Sequence, residues 1–326
     1  MKALLIAGGL GTRLRPLTFT RPKHLLPIAN RPHIEHVLDL LRRHAITDVV
    51  LATSYLADAF AAVIAGASDT GMEMRVAHET QPLGTAGAIK NAEALVSDDT
   101  FFAFNGDVLT DADLTALLDF HRDRGAAATI LLTPVDDPSA YGVVPTDADG
   151  MVTGFIEKPL PGEAPTNQIN AGVYVLEPSV LASIPAGEVV SIEREVFPAL
   201  ADSGGLFALS TDAYWMDIGT PQKYLQANLD ALSGAFQTEQ VAAPGPATNV
   251  MAEDVRIDEH ARVSSACLGT GCIVAGGATV RDSVLLDRVS VEAGATVRSS
   301  VLGEGVVVRS GAVVDGRAIG DNETVE

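Results

Sequence analysis

Apolar positions in the first half of the chain alternate between two periods. Runs at 3 to 7, 48 to 53, 73 to 78, 101 to 105 and 127 to 133 read as strands, while the intervening segments space apolar residues by three and four, as in Ile34, Val37, Leu38 and Leu41. This alternation predicts an α/β fold: a Rossmann-like, mixed but mainly parallel sheet covered by helices. Beyond about residue 140 the strand candidates shorten (141 to 145, 151 to 157, 170 to 176), and helical spacing returns near 192 to 203 and 220 to 233. Residues 235 to 250 lose periodicity and gain Pro and Gly, the composition of a linker.

From residue 251 the pattern changes to a 17-residue repeat. Met251, Leu268, Leu285, Leu302 and Ile319 occupy one phase; Ile257, Val274, Val291 and Val308 a second; Val263, Val280, Val297 and Val314 a third. Ala261, Ala278, Ala295 and Ala312 recur two places before the third phase, and Gly277, Gly294 and Gly311 precede three of them. One apolar position on each of three short faces, with small residues at a corner, predicts a three-sided parallel β-helix of about four coils. The expected domains are therefore 1–234, a linker at 235–250, and the β-helix at 251–326.

Composition narrows the class. The chain has 326 residues, 47% hydrophobic and 20% charged, as expected for a globular protein with a substantial core. It contains no apolar run of about 18 residues, and its apolar start lacks a cleavage-site pattern, so neither a membrane span nor a signal peptide is expected and the default is a cytoplasmic enzyme. Cys267 and Cys272 are too few for a disulfide framework. The formal net charge of -20 argues against nucleic-acid partners. Only five of the 22 basic residues are lysine, a balance that suits solubility at high salt.

The first 34 residues reverse that charge, with six Lys or Arg and no Asp or Glu. There the apolar run Ala3-Leu4-Leu5-Ile6-Ala7 meets Gly8-Gly9-Leu10-Gly11-Thr12-Arg13-Leu14-Arg15-Pro16-Leu17-Thr18, followed by Pro22-Lys23-His24-Leu25-Leu26-Pro27. Glycines let backbone N–H groups close on phosphate oxygens, and fixed cations neutralise the remaining charge. The loop is not a Walker motif, because Thr12 follows Gly11 where a lysine is required. Nor is it a dinucleotide fingerprint, because Leu14 fills the third glycine slot.

The two segments together resemble the signature of the sugar-1-phosphate nucleotidyltransferases. That resemblance implies that an NTP and a sugar 1-phosphate are joined with release of pyrophosphate. The attacking phosphate is already ionised, so the requirements are charge neutralisation and in-line positioning rather than a strong base. It further implies nucleotide binding by Ala7, Gly8, Gly9, Gly11, Thr12, Arg13 and Lys23, with Arg13 steadying the departing pyrophosphate and Lys23 at the reacting phosphates. Asp107, in Asn105-Gly106-Asp107, and Asp217, in Trp215-Met216-Asp217-Ile218-Gly219, match positions that hold Mg²⁺. Glu157-Lys158-Pro159, Asn170-Ala171-Gly172 and Gly142, in Tyr141-Gly142-Val143-Val144, match the segments that grip the sugar phosphate. Trp215 reads as packing beside the metal loop rather than as a platform for the base.

The base-contacting segment is Glu79-Thr80-Gln81-Pro82-Leu83-Gly84-Thr85-Ala86-Gly87, with Gln81, Gly84 and Thr85 as candidate contacts. Its Pro-Leu-Gly-Thr-Ala-Gly run resembles the guanylyltransferases acting on mannose 1-phosphate, which implies GTP. Glucose 1-phosphate with UTP or dTTP is the alternative within the family. A non-catalytic subunit that binds sugar nucleotide is the alternative of another class, and acyl transfer in the β-helix a further one. The β-helix, left-handed by the same resemblance, is expected to join copies into a homo-oligomer.

Overall fold

The computed structural model describes residues 1–54 and 56–326. They form two compact units: Met1–Gly9 with Val37–Trp215, and Leu10–His36 with Met216–Glu326. This division runs differently from one made along the sequence, because the segment after the first strand and the helix Pro221–Ser233 belong with the repeats.

The first unit is built on a nine-stranded sheet. Its strands are β1 (Lys2–Ile6), β2 (Asp48–Thr53), β3 (Glu73–His78), β4 (Phe101–Asn105), β5 (Ala128–Pro134), β6 (Gly142–Val143), β7 (Ile156–Glu157), β8 (Gln168–Leu176) and β9 (Leu206–Ser210). The order is β7-β6-β8-β4-β1-β2-β3, with β5 pairing both β8 and β9. Four strands, β4, β1, β2 and β3, run parallel, whereas β8 is antiparallel to β4. The sheet is thus mixed and mainly parallel at its centre. Leu4, Val50, Phe101, Ala103, Ile130 and Tyr174 are fully buried, because helix-covered central strands present both faces to apolar neighbours. The apolar stretch near 192 to 203 is a π-turn, Ile192–Val196, running into the short helix Phe197–Asp202.

In the second unit the repeats form parallel ladders whose partners are offset by 17 residues, as in Asn249↔Ala266, Thr279↔Thr296 and Ser290↔Val307. The inward column is apolar throughout: Leu268, Leu285 and Leu302 are fully buried, as are Val280, Val297 and Val314. Met251, by contrast, is 52% exposed, because it lies on the first strand of its ladder with no coil before it. Each of three corners carries a left-handed backbone residue. Gly277, Gly294 and Gly311 make one; Asp254, Gly271, Arg288, Gly305 and Asn322 a second; Ser265, Asp282, Ser299 and Gly316 a third. Residues 235 to 248 are irregular yet seated in this unit, with Phe236 buried edge-on against the His36 ring at 5.7 Å.

Candidate active site

In the first unit the carboxyl ends of three strands lie in register. Ile6 pairs with Ala52 on one side and Asn105 on the other. The chain beyond them stays tied, Ala7 N–H donating to Ala52 at 2.7 Å and Gly106 N–H to Ile6 at 3.0 Å. Ala7, Gly8 and Gly9 therefore leave the sheet beside the Gly106-Asp107 turn. This is where order reverses around β1, the position at which open α/β sheets form a ligand crevice.

β8 enters the same region from the opposite direction. Its ladder with β5 slips between Asn170 and Tyr174, and Gly172 adopts φ 73° at the irregularity. A Cβ there would lie 3.0 Å from Asn105 Nδ2 and 3.0 Å from Val108 Cγ2, so bulge and close approach both require glycine. Asn170 Oδ1 accepts from Gly172 N–H at 2.9 Å, and its Nδ2 donates to the Tyr174 hydroxyl at 2.9 Å. Asn105 Nδ2 donates to the same hydroxyl at 3.3 Å. The buried Tyr174 phenol, whose pKa burial drives well above the usual tyrosine value, thus joins the strand leading to Asp107 to the candidate sugar-binding asparagine. Sequence reasoning gave Tyr174 no role, although the alternation of residues 170, 172 and 174 within one strand is the available signal. Trp215 Nε1 donates to Ala171 at 2.8 Å and its ring meets Tyr141 edge-on, consistent with packing.

Gly142 and Glu157 are register partners on β6 and β7, and Ile169 pairs with Val143, so the remaining sugar-phosphate candidates join this group. Lys158 N–H donates to Tyr141 at 2.9 Å, its φ is 51°, and its ammonium lies 3.7 Å from Glu157 Oε1. This hairpin presents a solvated lysine beside a carboxylate that is only partly exposed.

The base-segment candidates separate by environment. Gln81 is exposed, whereas Thr85 Oγ1 donates to Glu193 Oε2 at 2.7 Å and accepts from Ile192 N–H at 2.9 Å. A Cβ on Gly84 would lie 2.6 Å from the Val190 carbonyl oxygen, so this glycine permits close packing of segments 84 to 87 and 188 to 193. Glu79 was quoted in the segment but not singled out. It is 3% exposed; Oε2 accepts from Leu83 N–H at 3.2 Å, and a Cβ on Gly8 would meet Oε1 at 2.6 Å. Burial pushes the Glu79 carboxyl pKa up, the Leu83 N–H opposing it.

The second unit holds Gly11, Thr12, Arg13, Lys23 and Asp217. Gly11 is left-handed at φ 61°, and Thr18 Oγ1 donates to its carbonyl at 2.8 Å. A Cβ on Gly11 would lie 3.3 Å from Lys23 Cβ, so the two signature segments fold onto each other, with Thr12 and Arg13 exposed on a short 3₁₀ turn. A Cβ on Gly219 would lie 3.0 Å from Asp217 Oδ2 and 3.3 Å from Arg13 Nη2; guanidinium and carboxylate converge there. Lys223, in the first turn of Pro221–Ser233, forms a short ion pair with Asp217. Sequence reasoning missed Lys223, though a lysine six residues past Asp217 in a chain with five lysines was a usable signal.

Asp107 and Asp217 offer hard carboxylate oxygens. Mg²⁺ dehydrates reluctantly and is held by one or two carboxylates with substrate phosphates and water completing the shell. Among the described residues no group of three or more His, Cys, Asp or Glu could hold a metal by itself. Each carboxylate, taken within its own unit, is a donor of the kind suited to a hard divalent ion that binds together with a polyphosphate.

Residues 2–234 match the nucleotidyl transferase family, and residues 238–325 match the GlmU-like C-terminal hexapeptide. The chain is 40% identical over 299 residues to the mannose-1-phosphate guanylyltransferase of Mycobacterium tuberculosis, covering 89% of this chain and 81% of that protein. It is 40% identical over 277 residues to the mannose-1-phosphate guanylyltransferase catalytic subunit beta of Drosophila pseudoobscura pseudoobscura, covering 83% and 71%. Among solved structures, HddC from Yersinia pseudotuberculosis matches at a TM-score of 0.61 and 30% identity over 70% of this chain and 97% of that one. A putative glucose-1-phosphate thymidylyltransferase from Bacillus anthracis matches at 0.65 and 26% over 74% and 98%. The chain belongs to the nucleotidyl transferase family as a sugar-1-phosphate nucleotidyltransferase, with a left-handed hexapeptide β-helix after the catalytic region. Enzymes of this family use a divalent metal.

Proposed function

We propose that the chain transfers a guanylyl group from GTP to mannose 1-phosphate, giving GDP-mannose and pyrophosphate. The observation that carries this reading is the 40% identity, across 89% of the chain, to the Mycobacterium tuberculosis mannose-1-phosphate guanylyltransferase. A phosphate oxygen of the sugar phosphate forms a bond to the α-phosphorus of the nucleotide. The bond from that phosphorus to the β-bridging oxygen breaks, and pyrophosphate carries away the electron pair. Backbone N–H groups from Ala7 to Thr12 cradle phosphates, Arg13 receives the charge on the departing pyrophosphate, and Lys23 sits at the reacting phosphates. Glu157, Lys158, Asn170 and the backbone at Gly142 and Gly172 orient the sugar phosphate, while Gln81, Gly84 and Thr85 bound the base. Asp107 and Asp217 would hold Mg²⁺, which when bound supplies charge neutralisation at the phosphates. A cytoplasmic location and a homo-oligomer assembled through residues 251–326 belong to the same reading.

The test is pyrophosphate release with Mg²⁺ over GTP, UTP, dTTP, ATP and CTP against mannose, glucose and N-acetylglucosamine 1-phosphates. A maximum at GTP with mannose 1-phosphate supports the proposal. A maximum at UTP or dTTP with glucose 1-phosphate moves it toward the activity named for the Bacillus anthracis protein. Asp107→Asn and Asp217→Asn should each lower kcat by at least about 100-fold with the fold retained by circular dichroism; near-wild-type turnover would remove the metal assignment.

A further inference from the structure

The signature segment that follows β1 rests on the β-helix. Within the second unit, Arg21 Nη2 lies 2.7 Å from Glu304 Oε2 and 3.6 Å from Asp321 Oδ2. The Thr20 hydroxyl donates to Asp321 Oδ2 at 2.5 Å. These partners are 283 and 301 residues apart in sequence. Glu304 and Asp321 occupy equivalent positions on successive coils, and Asp321 Oδ1 accepts from Glu304 N–H at 2.8 Å. Arg288 forms a short ion pair with the other oxygen of Glu304. The cluster is substantially desolvated: side-chain exposure is 21% for Arg21, 29% for Glu304 and 10% for Asp321.

Contacts before and beyond this cluster fix the rest of the segment. A Cβ on Gly320 would lie 3.1 Å from Pro16 Cβ, so that coil meets the proline directly. Asn30 Nδ2 donates to the Leu268 carbonyl at 2.7 Å and the Val250 carbonyl at 3.3 Å, spanning two coils. Lys23, two residues from Arg21, is folded against Gly11 between these anchors. A β-helix with its inward columns filled is a stiff support, and stacked carboxylates on adjacent coils repel unless a cation bridges them.

We propose that Glu304 and Asp321 are positioning residues for nucleotide transfer. By clamping Thr20 and Arg21 they fix the loop that presents Arg13 and Lys23, so part of the nucleotide site is set by coils nearly 300 residues downstream. The inference rests on reading Arg13 and Lys23 as phosphate-contacting residues. A charge-assisted, partly buried bond between long side chains is a lever on loop geometry, because small displacements at reacting phosphates cost rate steeply.

The test uses the full chain with Arg21→Met, Glu304→Gln, Asp321→Asn and the Arg21→Met/Glu304→Gln double variant, alongside Arg13→Ala and Lys23→Ala. Apparent KM for each substrate and kcat are measured, with melting temperature as a check on folding. The expected result is a three- to tenfold rise in KM for the nucleotide, roughly the effect of one partly screened ion pair, with KM for the sugar phosphate unchanged. The double variant should be no worse than Arg21→Met alone, since both remove one interaction. Equal rises in both KM values, or a loss of melting temperature with unchanged kinetics, would reduce the clamp to ordinary stabilisation and overturn the proposal. If Asp321→Asn fails to fold, Arg21→Met and Glu304→Gln decide alone, because neither serves as a backbone cap at a coil corner. Unaltered nucleotide kinetics in Arg13→Ala and Lys23→Ala would defeat the reading of the loop instead, which separates the two failures.

Discussion

The Glu79 carboxyl is buried beside Gly8, and its Oε1 has no hydrogen-bond partner among the described residues. Desolvation raises its pKa above that of the unfolded chain, so the folded state resists ionisation that the unfolded state accepts. A raised carboxyl pKa lowers stability as pH climbs through the interval between the unfolded and folded values, and the full cost persists above it. Below the unfolded value of about 4.3 both states are protonated and the cost is gone. Glu79→Gln keeps an acceptor for Leu83 N–H while removing the charge. It is expected to raise the melting temperature by about 1–3 °C at pH 8, with the gain fading as pH falls toward about 4. Paired thermal scans of variant and wild type at pH 4, 6 and 8 check this, and a pH-independent difference would contradict it. The buried charge escaped sequence reading because no local pattern says that the residue after β3 turns inward beneath Gly8. The candidates proposed from sequence, Arg13, Lys23, Asp107 and Asp217, stand in motifs whose spacing is itself the signal.

At the scale of elements, period and punctuation disclosed long, apolar strands and little else. β2 and β4 begin and end where their apolar runs do, because buried parallel strands are continuous in hydrophobicity, whereas β3, at the edge of the sheet, mixes Glu73, Arg75 and His78 with Met74, Val76 and Ala77 and buries only Ala77. β9 is as long as β1 and β4, and its apolar run Leu206-Phe207-Ala208-Leu209 was a usable signal that sequence reading missed, whereas the strand Trp215–Asp217 has only three residues and no period to read. The β-helix was legible from its inward columns and one glycine corner. Its other two corners were hidden, since Asp254, Arg288, Asn322, Ser265, Asp282 and Ser299 take left-handed backbone without being glycine. Gly84 shows the converse, a glycine in a nucleotide-type motif whose geometry is explained by packing. At φ 74°, with the Val190 oxygen 2.6 Å from a Cβ position, Gly84→Ala should cost about 2–4 kcal/mol from backbone strain and overlap together. Denaturant titration of the variant measures this. A loss below about 1 kcal/mol would mean the 188 to 190 segment moves aside easily.

For the whole molecule, the acidity that excludes nucleic acid also limits where copies can meet. With a net charge of -20, two chains repel unless their contact surface is neutral. One ladder of the β-helix offers such a surface: its outward column starts at Arg256, and from Ile273 through Ser290 and Val307 to Thr324 it carries no charge, with Ile273 43% exposed. The column Ser264, Arg281, Arg298 and Asp315, on another ladder, is charged at three positions. Truncation near residue 235 would be a poor probe of assembly, since Asn30, Thr20 and Arg21 depend on the coils and would lose their partners with the interface. Ile273→Glu together with Val307→Glu leaves the inward columns and the Arg21 cluster intact and places like charges on the neutral face. Light scattering should give the wild type a mass that is a multiple of the chain mass and the double variant a smaller multiple, with the melting curve of the β-helix retained. A monomeric wild type would refute assembly altogether, whereas an unchanged mass in the variant would shift the contact to another face and leave this neutral column as solvent-facing surface.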